Sequence, residues 1–261
     1  MASRKIEGLR TIVTGASSGI GREIAMELAR QGAKLIITAR RAERLDDLLA
    51  ELQPLGTEAV SVVGDIVEAA TRAAIIETAH REFGGLDALV NNAGMGALGP
   101  FADANEERLR RVMEVNFFAP VELIRLAIPL LREGKRPIIA NVSSVLGHRA
   151  VANKSEYCAS KFALHGFSDA LRCELAGDLI DVLLVSPSTT SSEFFEHVIA
   201  PEHGATKHTR RSMPPREVAR ITVKAMRRGK HEVILSAGGK AIVWLDRLCP
   251  PIMNRILANF R

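Results

Sequence analysis

The chain has a single tyrosine, Tyr157, and Lys161 follows it by four residues in the run Tyr157-Cys158-Ala159-Ser160-Lys161. On a helix that spacing puts both side chains on one face. A phenol in water titrates near ~10, too high for proton transfer at neutral pH. A neighbouring ammonium favours the phenolate and is expected to pull that value down. The pair is therefore a way to build a tunable acid or base. The same spacing also arises on ordinary surface helices, so it needs company before it implies chemistry.

A second group supplies that company. Thr14-Gly15-Ala16-Ser17-Ser18-Gly19-Ile20-Gly21 follows a strand-like apolar run and precedes a helical pattern. Glycines at 15, 19 and 21 let the backbone turn tightly and approach a pyrophosphate, and the following helix offers N–H groups and a positive dipole end. The spacing is G-x-x-x-G-x-G; the competing account is a Gly-Ser turn with no ligand. After the second apolar run, Thr38-Ala39 leads into Arg40-Arg41. Dinucleotide folds often carry a carboxylate here for the ribose hydroxyls. A guanidinium would instead bind a 2′-phosphate. One such contact is worth roughly 1.5–3 kcal/mol, about ten- to a hundredfold in affinity. This favours NADP(H) over NAD(H), with Arg40 foremost and Arg41 as its companion. Asp65, after the third apolar run, is placed for the adenine amino group.

These residues need elements to hold them. Apolar runs at 9–13, 34–38, 59–63, 86–91, 137–142, 180–185 and 232–235 are nearly continuous, which suits strands covered on both faces. Helical patterns lie between them at 19–31, 41–53, 67–83, 106–131, 155–176 and 215–228. The alternation predicts an α/β fold: a doubly wound, Rossmann-like parallel sheet of seven strands with helices on both faces. Residues 1–239 read as one dinucleotide-binding and catalytic domain. Residues 188–213 form a long irregular segment, of a length usual for lids. The tail, 240–261, repeats apolar residues at helical spacing around Pro250-Pro251 and predicts two short amphipathic helices. They would pack on the domain or on a sister subunit; the competing account is contact with a membrane surface.

Composition sets the outer limits. Of 261 residues, 47% are apolar and 25% charged, with a net charge of +5. The three cysteines, Cys158, Cys173 and Cys249, are an odd count without C-x-x-C, which argues against disulfides and against a zinc site. No metal is expected. The first residues lack an apolar signal segment, so a cytoplasmic location is expected. Basic residues gather from Lys207 to Lys230 without interleaved aromatics or a nucleic-acid-binding motif. A solvated helix face accounts for them, and no nucleic-acid partner is expected.

Together these residues resemble the short-chain dehydrogenase/reductase family, of the compact single-domain kind. The likeness runs over residues 9–235. Thr14 to Gly21 looks like the family's cofactor loop. Asn91-Asn92-Ala93-Gly94 looks like its Asn-Asn-Ala-Gly motif, Asn116 like its tetrad asparagine, and Ser144 has the usual offset from Tyr157. The resemblance implies that Tyr157 exchanges a proton with the substrate oxygen. Lys161 would hold the nicotinamide ribose and lower the tyrosine pKa. Ser144 would hydrogen-bond the carbonyl, with Ser143 as the alternative serine, and Asn116 would anchor a water in a proton relay. Asn92, Ala93, Gly94, Pro187 and Thr190 would complete the cofactor site. It also implies a homodimer or homotetramer pairing through the helices at 106–131 and 155–176.

Three departures stand out. Ser18 occupies the place where many NADPH-preferring relatives carry a basic residue. Pro187-Ser188 replaces the usual Pro-Gly. The tail after Gly238-Gly239 is longer than in bacterial 3-oxoacyl reductases. The expected substrate wall, 95–98 and 145–151 with Phe194, Phe195 and Val198 of the lid, is mostly apolar. It points to a hydrophobic carbonyl or secondary alcohol: steroid-like, retinoid-like or a long-chain aldehyde. A 3-oxoacyl thioester reductase and a non-catalytic nucleotide sensor are the alternatives. His148 and Arg149 are expected to face solvent.

Overall fold

The computed structural model describes residues 3–190 and 212–258. Seven strands form one parallel sheet: β1 Arg10–Thr14, β2 Lys34–Ala39, β3 Ala59–Val63, β4 Ala88–Asn91, β5 Ile138–Val142, β6 Asp181–Ser186 and β7 Glu232–Ile234. Their spatial order is β3-β2-β1-β4-β5-β6-β7, with every neighbouring pair parallel. The order reverses between β1 and β4, the place where such sheets open a crevice. The helices are α1 Gly19–Ala29, α2 Ala42–Leu52, α3 Ala69–Phe83, α4 Glu106–Met113, α5 Ala119–Arg132, α6 Ser155–Glu174, α7 Pro215–Arg227, α8 Ala237–Leu248 and α9 Pro250–Ala258.

The continuous apolar strands feed two separate cores. Side chains alternate across a strand. Val13, Leu35, Ile37, Val90, Ala140 and Val185 join α1, α2 and α7 on one face. Ile12, Ile36, Leu89 and Ile139, their sequence neighbours, and Val182 of β6 join α3, α5 and α6 on the other. Helix ends follow local chemistry. Asn105 accepts from the Arg108 N–H at the start of α4 (2.9 Å), and Gly84, at φ 67°, closes α3 in the left-handed conformation. Arg10 and Asp87 form a two-point pair at 2.8 Å that ties the starts of β1 and β4.

The run 106–131 is not the single helix its periodicity predicts. A π-helical turn, Glu114–Phe118, separates α4 from α5. Pro120 is one physical reason: it has no N–H for the carbonyl of residue 116, so the α-helical ladder cannot continue there. The tail splits in two at Pro250 as expected, although α8 begins at Ala237, so a boundary at 239/240 falls inside that helix. Exposed Arg216, Arg220, Lys224, Arg227, Arg228 and Lys230 do form a solvated face on and just after α7.

One buried ion pair holds the start of α6 to α4. Arg108 Nε donates to Glu156 Oε1 at 2.8 Å, and the two side chains are 7% and 1% exposed. Removing one member strands the other charge, which costs about 3–5 kcal/mol. Arg108→Ala is therefore expected to lower unfolding free energy by that amount in urea titration; an unchanged midpoint would show that the pair does not brace the fold.

Candidate active site

A cleft of about 610 Å³ lies over the carboxyl ends of the central strands, lined by Gly15, Thr38, Asn92, Val142 and Ser143 among others. The glycine loop forms one wall. Gly15 adopts φ +65°, and a Cβ there would sit 2.9 Å from Ala93 Cα. A Cβ on Gly21 would collide with the Gly15 carbonyl and the Asn92 carboxamide. Only glycine lets loop and β4 end meet this closely. Asn92 fastens the junction: its Nδ2 donates to Thr14 O (3.0 Å) and Gly15 O (3.2 Å). Thr14 Oγ1 accepts from the N–H groups of Asn92 and Ala93 at 3.0 Å. Ser18, at the N-cap of α1, makes no side-chain cap bond. The first-turn N–H groups are thus left to the cleft, where Gly19 and Ile20 line the wall.

The two arginines part company. Arg41 turns onto the loop, Nη2 donating to Ser17 Oγ (3.1 Å) and Ser18 Oγ (3.0 Å). Arg40 is 68% exposed, with Nη1 3.9 Å from Asp65. Successive residues of an extended segment point to opposite sides, so both cannot face the loop. Both line the cleft, and of the two it is Arg41 that brings charge to the Ser17 and Ser18 hydroxyls. Asp65 is gripped by Arg111 of α4 (Nη2–Oδ2 2.7 Å) and by the Val67 N–H (3.2 Å). Burial pushes its carboxyl up, but these partners outweigh it and hold the group below the usual carboxylate range.

At the other end, α6 presents Tyr157 and Lys161, and the loop after β5 presents Ser144. Ser144 hydrogen-bonds the Tyr157 phenol, and its Oγ accepts from the Leu146 N–H at 3.1 Å. Ser143 keeps its hydroxyl buried without a partner among the described residues. Lys161 Nζ donates to Val142 O at 3.1 Å and stands 5.7 Å from the tyrosine ring centroid. Burial pushes the phenol up to about 12, against the opposing Ser144 bond. Burial also lowers the ammonium to about 8. The expected lowering of the phenol by the lysine is not produced by the protein's own groups, because desolvation dominates both.

Asn116 lies inside the π turn and is 1% exposed. Its Nδ2 donates to Met95 O and Ser160 Oγ, both at 2.9 Å, and its Oδ1 accepts from Met95 N at 2.8 Å. Both carboxamide N–H groups are spent joining the 95 backbone to α6, so the amide does not offer them to a water. Gly94, Pro187 and Thr190 line the cleft. Thr190 forms an isolated parallel bridge with Met213. Residues 191–211, with Phe194, Phe195 and Val198, lie outside the described residues.

His148 and Arg149 face inward, against expectation. His148 is 6% exposed, with Nε2 3.1 Å from Ser186 Oγ and 3.2 Å from Glu232. Arg149 reaches Asp246 of α8 (2.8 Å) and Asn254 of α9 (2.5 Å). Sequence reasoning also missed Arg111, whose α4 position gives no hint of Asp65, and Ile242, which α8 brings to the cleft wall. Of the stretches 95–98 and 145–151, Met95, Leu98, Leu146 and Val151 line the cleft. Among the described residues no acidic, histidine or cysteine cluster could hold a metal.

Known proteins carry the same plan. The short chain dehydrogenase model matches residues 10–203. An 11-beta-hydroxysteroid dehydrogenase-like protein 4A of Arabidopsis thaliana is 34% identical over 96% of this chain and 84% of its own length. Dehydrogenase/reductase SDR family member 7B of Mus musculus is 32% identical over 95% of this chain and 80% of its own. A Burkholderia cenocepacia short chain dehydrogenase solved with NADP matches at a TM-score of 0.83 and 26% identity, covering 97% of this chain and 99% of that one. A family model matching most of the chain, and relatives above 30% identity covered over most of their length, show that the chain belongs to the short-chain dehydrogenase family and is an oxidoreductase of that type.

Proposed function

We propose that the protein is an NADP(H)-dependent reductase of an apolar carbonyl compound, steroid-like, retinoid-like or a long-chain aldehyde. One observation carries the reading: the Tyr157 phenol is bonded to Ser144, with Lys161 one turn away, in the same cleft as the glycine loop. The uncapped start of α1 and the Arg41 guanidinium over Ser17 and Ser18 suit a phosphorylated dinucleotide. Gly15 to Gly21, Arg40, Arg41 and Asp65 would hold its adenosine end; Asn92 to Gly94, Lys161, Pro187 and Thr190 its nicotinamide end. When bound, the cofactor supplies the hydride.

The chain's own residues handle the proton. With a phenol pushed up to about 12, Tyr157 stays protonated through the neutral range and is ready to donate as charge grows on a carbonyl oxygen. Ser144 steadies that oxygen by a hydrogen bond. Asn116 braces the Tyr157 turn of α6 through Ser160, and its main-chain carbonyl, denied the usual helical donor by Pro120, is the relay point. The names of the Arabidopsis relative and the NADP-bound structure support substrate and cofactor class. Exposed Phe118, Leu126 and Phe162 on and beside α5 and α6 support pairing of subunits there.

The test is NADPH oxidation against a panel of apolar ketones and aldehydes, with cofactor affinities measured alongside. NADPH is expected to bind about ten- to a hundredfold tighter than NADH. Arg41→Asp should abolish the preference, and Arg40→Asp should weaken it less. Equal affinities for the two cofactors in the wild type would refute the assignment.

A further inference from the structure

Helices α8 and α9 are amphipathic the wrong way round for a helix pair that finishes a core. Asp246 of α8 is drawn inward onto Arg149, which also reaches the exposed Asn254 of α9. Little of their apolar surface is buried: Val243 at 1% and Met253 at 3%. The rest points out. Ile242 is 43% exposed, Trp244 55%, Leu248 78% and Ile252 52%, joined by Leu245 and Ile256. Ile242, Leu245 and Leu248 follow at three-residue spacing, so they form one stripe on α8. An exposed apolar face of this extent marks an interaction surface.

Its rim says what covers it. Lys240, Arg247 and Arg255 are exposed around the stripe, and Arg247 lies 5.8 Å over the Trp244 ring. Residues 237–258 contain one acid, Asp246, and Arg149 occupies it. A two-fold contact between copies of this face would set cation against cation. An anionic lipid surface answers both features, taking the apolar side chains into its boundary and the cations among its headgroups. The same helix carries Gly239 and Ile242 into the wall of the cleft. We infer that α8 and α9 dock the protein peripherally on an anionic bilayer, with the cleft opening beside the membrane. The inference does not depend on the reaction proposed above.

Trp244 is the only tryptophan, so its emission reports this face alone. The full chain is mixed with phosphatidylcholine vesicles with and without phosphatidylserine, then floated. Flotation with the anionic vesicles only, with a blue shift of Trp244 emission, is the expected result. Leu248→Asp, at a position too exposed to matter for folding, should abolish both. Lys240→Ala, Arg247→Ala and Arg255→Ala together should weaken binding about a hundredfold, at about fivefold per charge. Emission unchanged by vesicles, or flotation indifferent to Leu248→Asp, overturns the inference. So does a dimer in plain buffer that Leu248→Asp dissociates, since the face would then belong to a second copy.

Discussion

Tyr157→Phe is expected to lower kcat by about a hundred- to ten-thousandfold, the range for losing a positioned general acid. The ring remains, so the packing around α6 is kept. Ser144 keeps its Leu146 partner, so the loop after β5 has no reason to move. Cofactor affinity should therefore stay nearly unchanged, and the loss should appear in kcat rather than KM. The wild-type pH profile carries a second signature. With burial holding the phenol up at about 12, carbonyl reduction should show no tyrosine limb between pH 6 and 9. A variant that turns over at the wild-type rate would remove Tyr157 from the proton path.

Lys161→Met should do something less familiar: abolish turnover and stabilise the fold. Lys161 is 4% exposed and donates a hydrogen bond to Val142 O. Burial moves its ammonium from 10.5 to about 8, which corresponds to about 3 kcal/mol for keeping the charged form in place at neutral pH. Methionine fills similar space without the charge. Loss of the Val142 bond gives back about 1 kcal/mol. The net gain of about 2 kcal/mol should raise Tm by about 5 °C in a protein of this size. The pH dependence has a definite sign. A depressed folded pKa means the unfolded chain binds the proton more readily. The lysine's contribution is complete above 10.5 and is lost as pH falls through about 8. Between those values wild-type stability should climb with pH, and in Lys161→Met that part of the climb should vanish. A lower Tm for the methionine variant would show that the ammonium is held by compensating partners rather than tolerated at a cost.

The sheet was readable because parallel strands buried on both faces are nearly continuously apolar, and such runs recur here between helical patterns. Their ends were less readable: β4 begins at Ala88, and the preceding Asp87 is a carboxylate gripped by Arg10 of β1. Tyr157, Lys161, Ser144 and the glycine loop were readable from residue type and spacing. The long-range partners were not. No local pattern links Arg41 to Ser17, Arg111 to Asp65, or Arg149 to two helices about a hundred residues away, since each pairing depends on where the sheet order reverses or where the tail lands. The environment of the phenol was misjudged for a related reason. Proximity of a lysine follows from sequence, whereas the depth of desolvation follows only from packing.

The π turn makes chain length at one place a chemical variable. It accommodates a residue more than a regular helix would over the same rise, and each residue of an α-helix adds about 100° of rotation. Deleting one position between Glu114 and Phe118 would not merely shorten a connector. It would swing the Asn116 carboxamide a quarter-turn or more off Met95 and Ser160 while Ser144, Tyr157 and Lys161 stayed in place. In homologues, a one-residue gap at this point is therefore a change in how the asparagine is held, even when the serine, tyrosine and lysine align without a flaw.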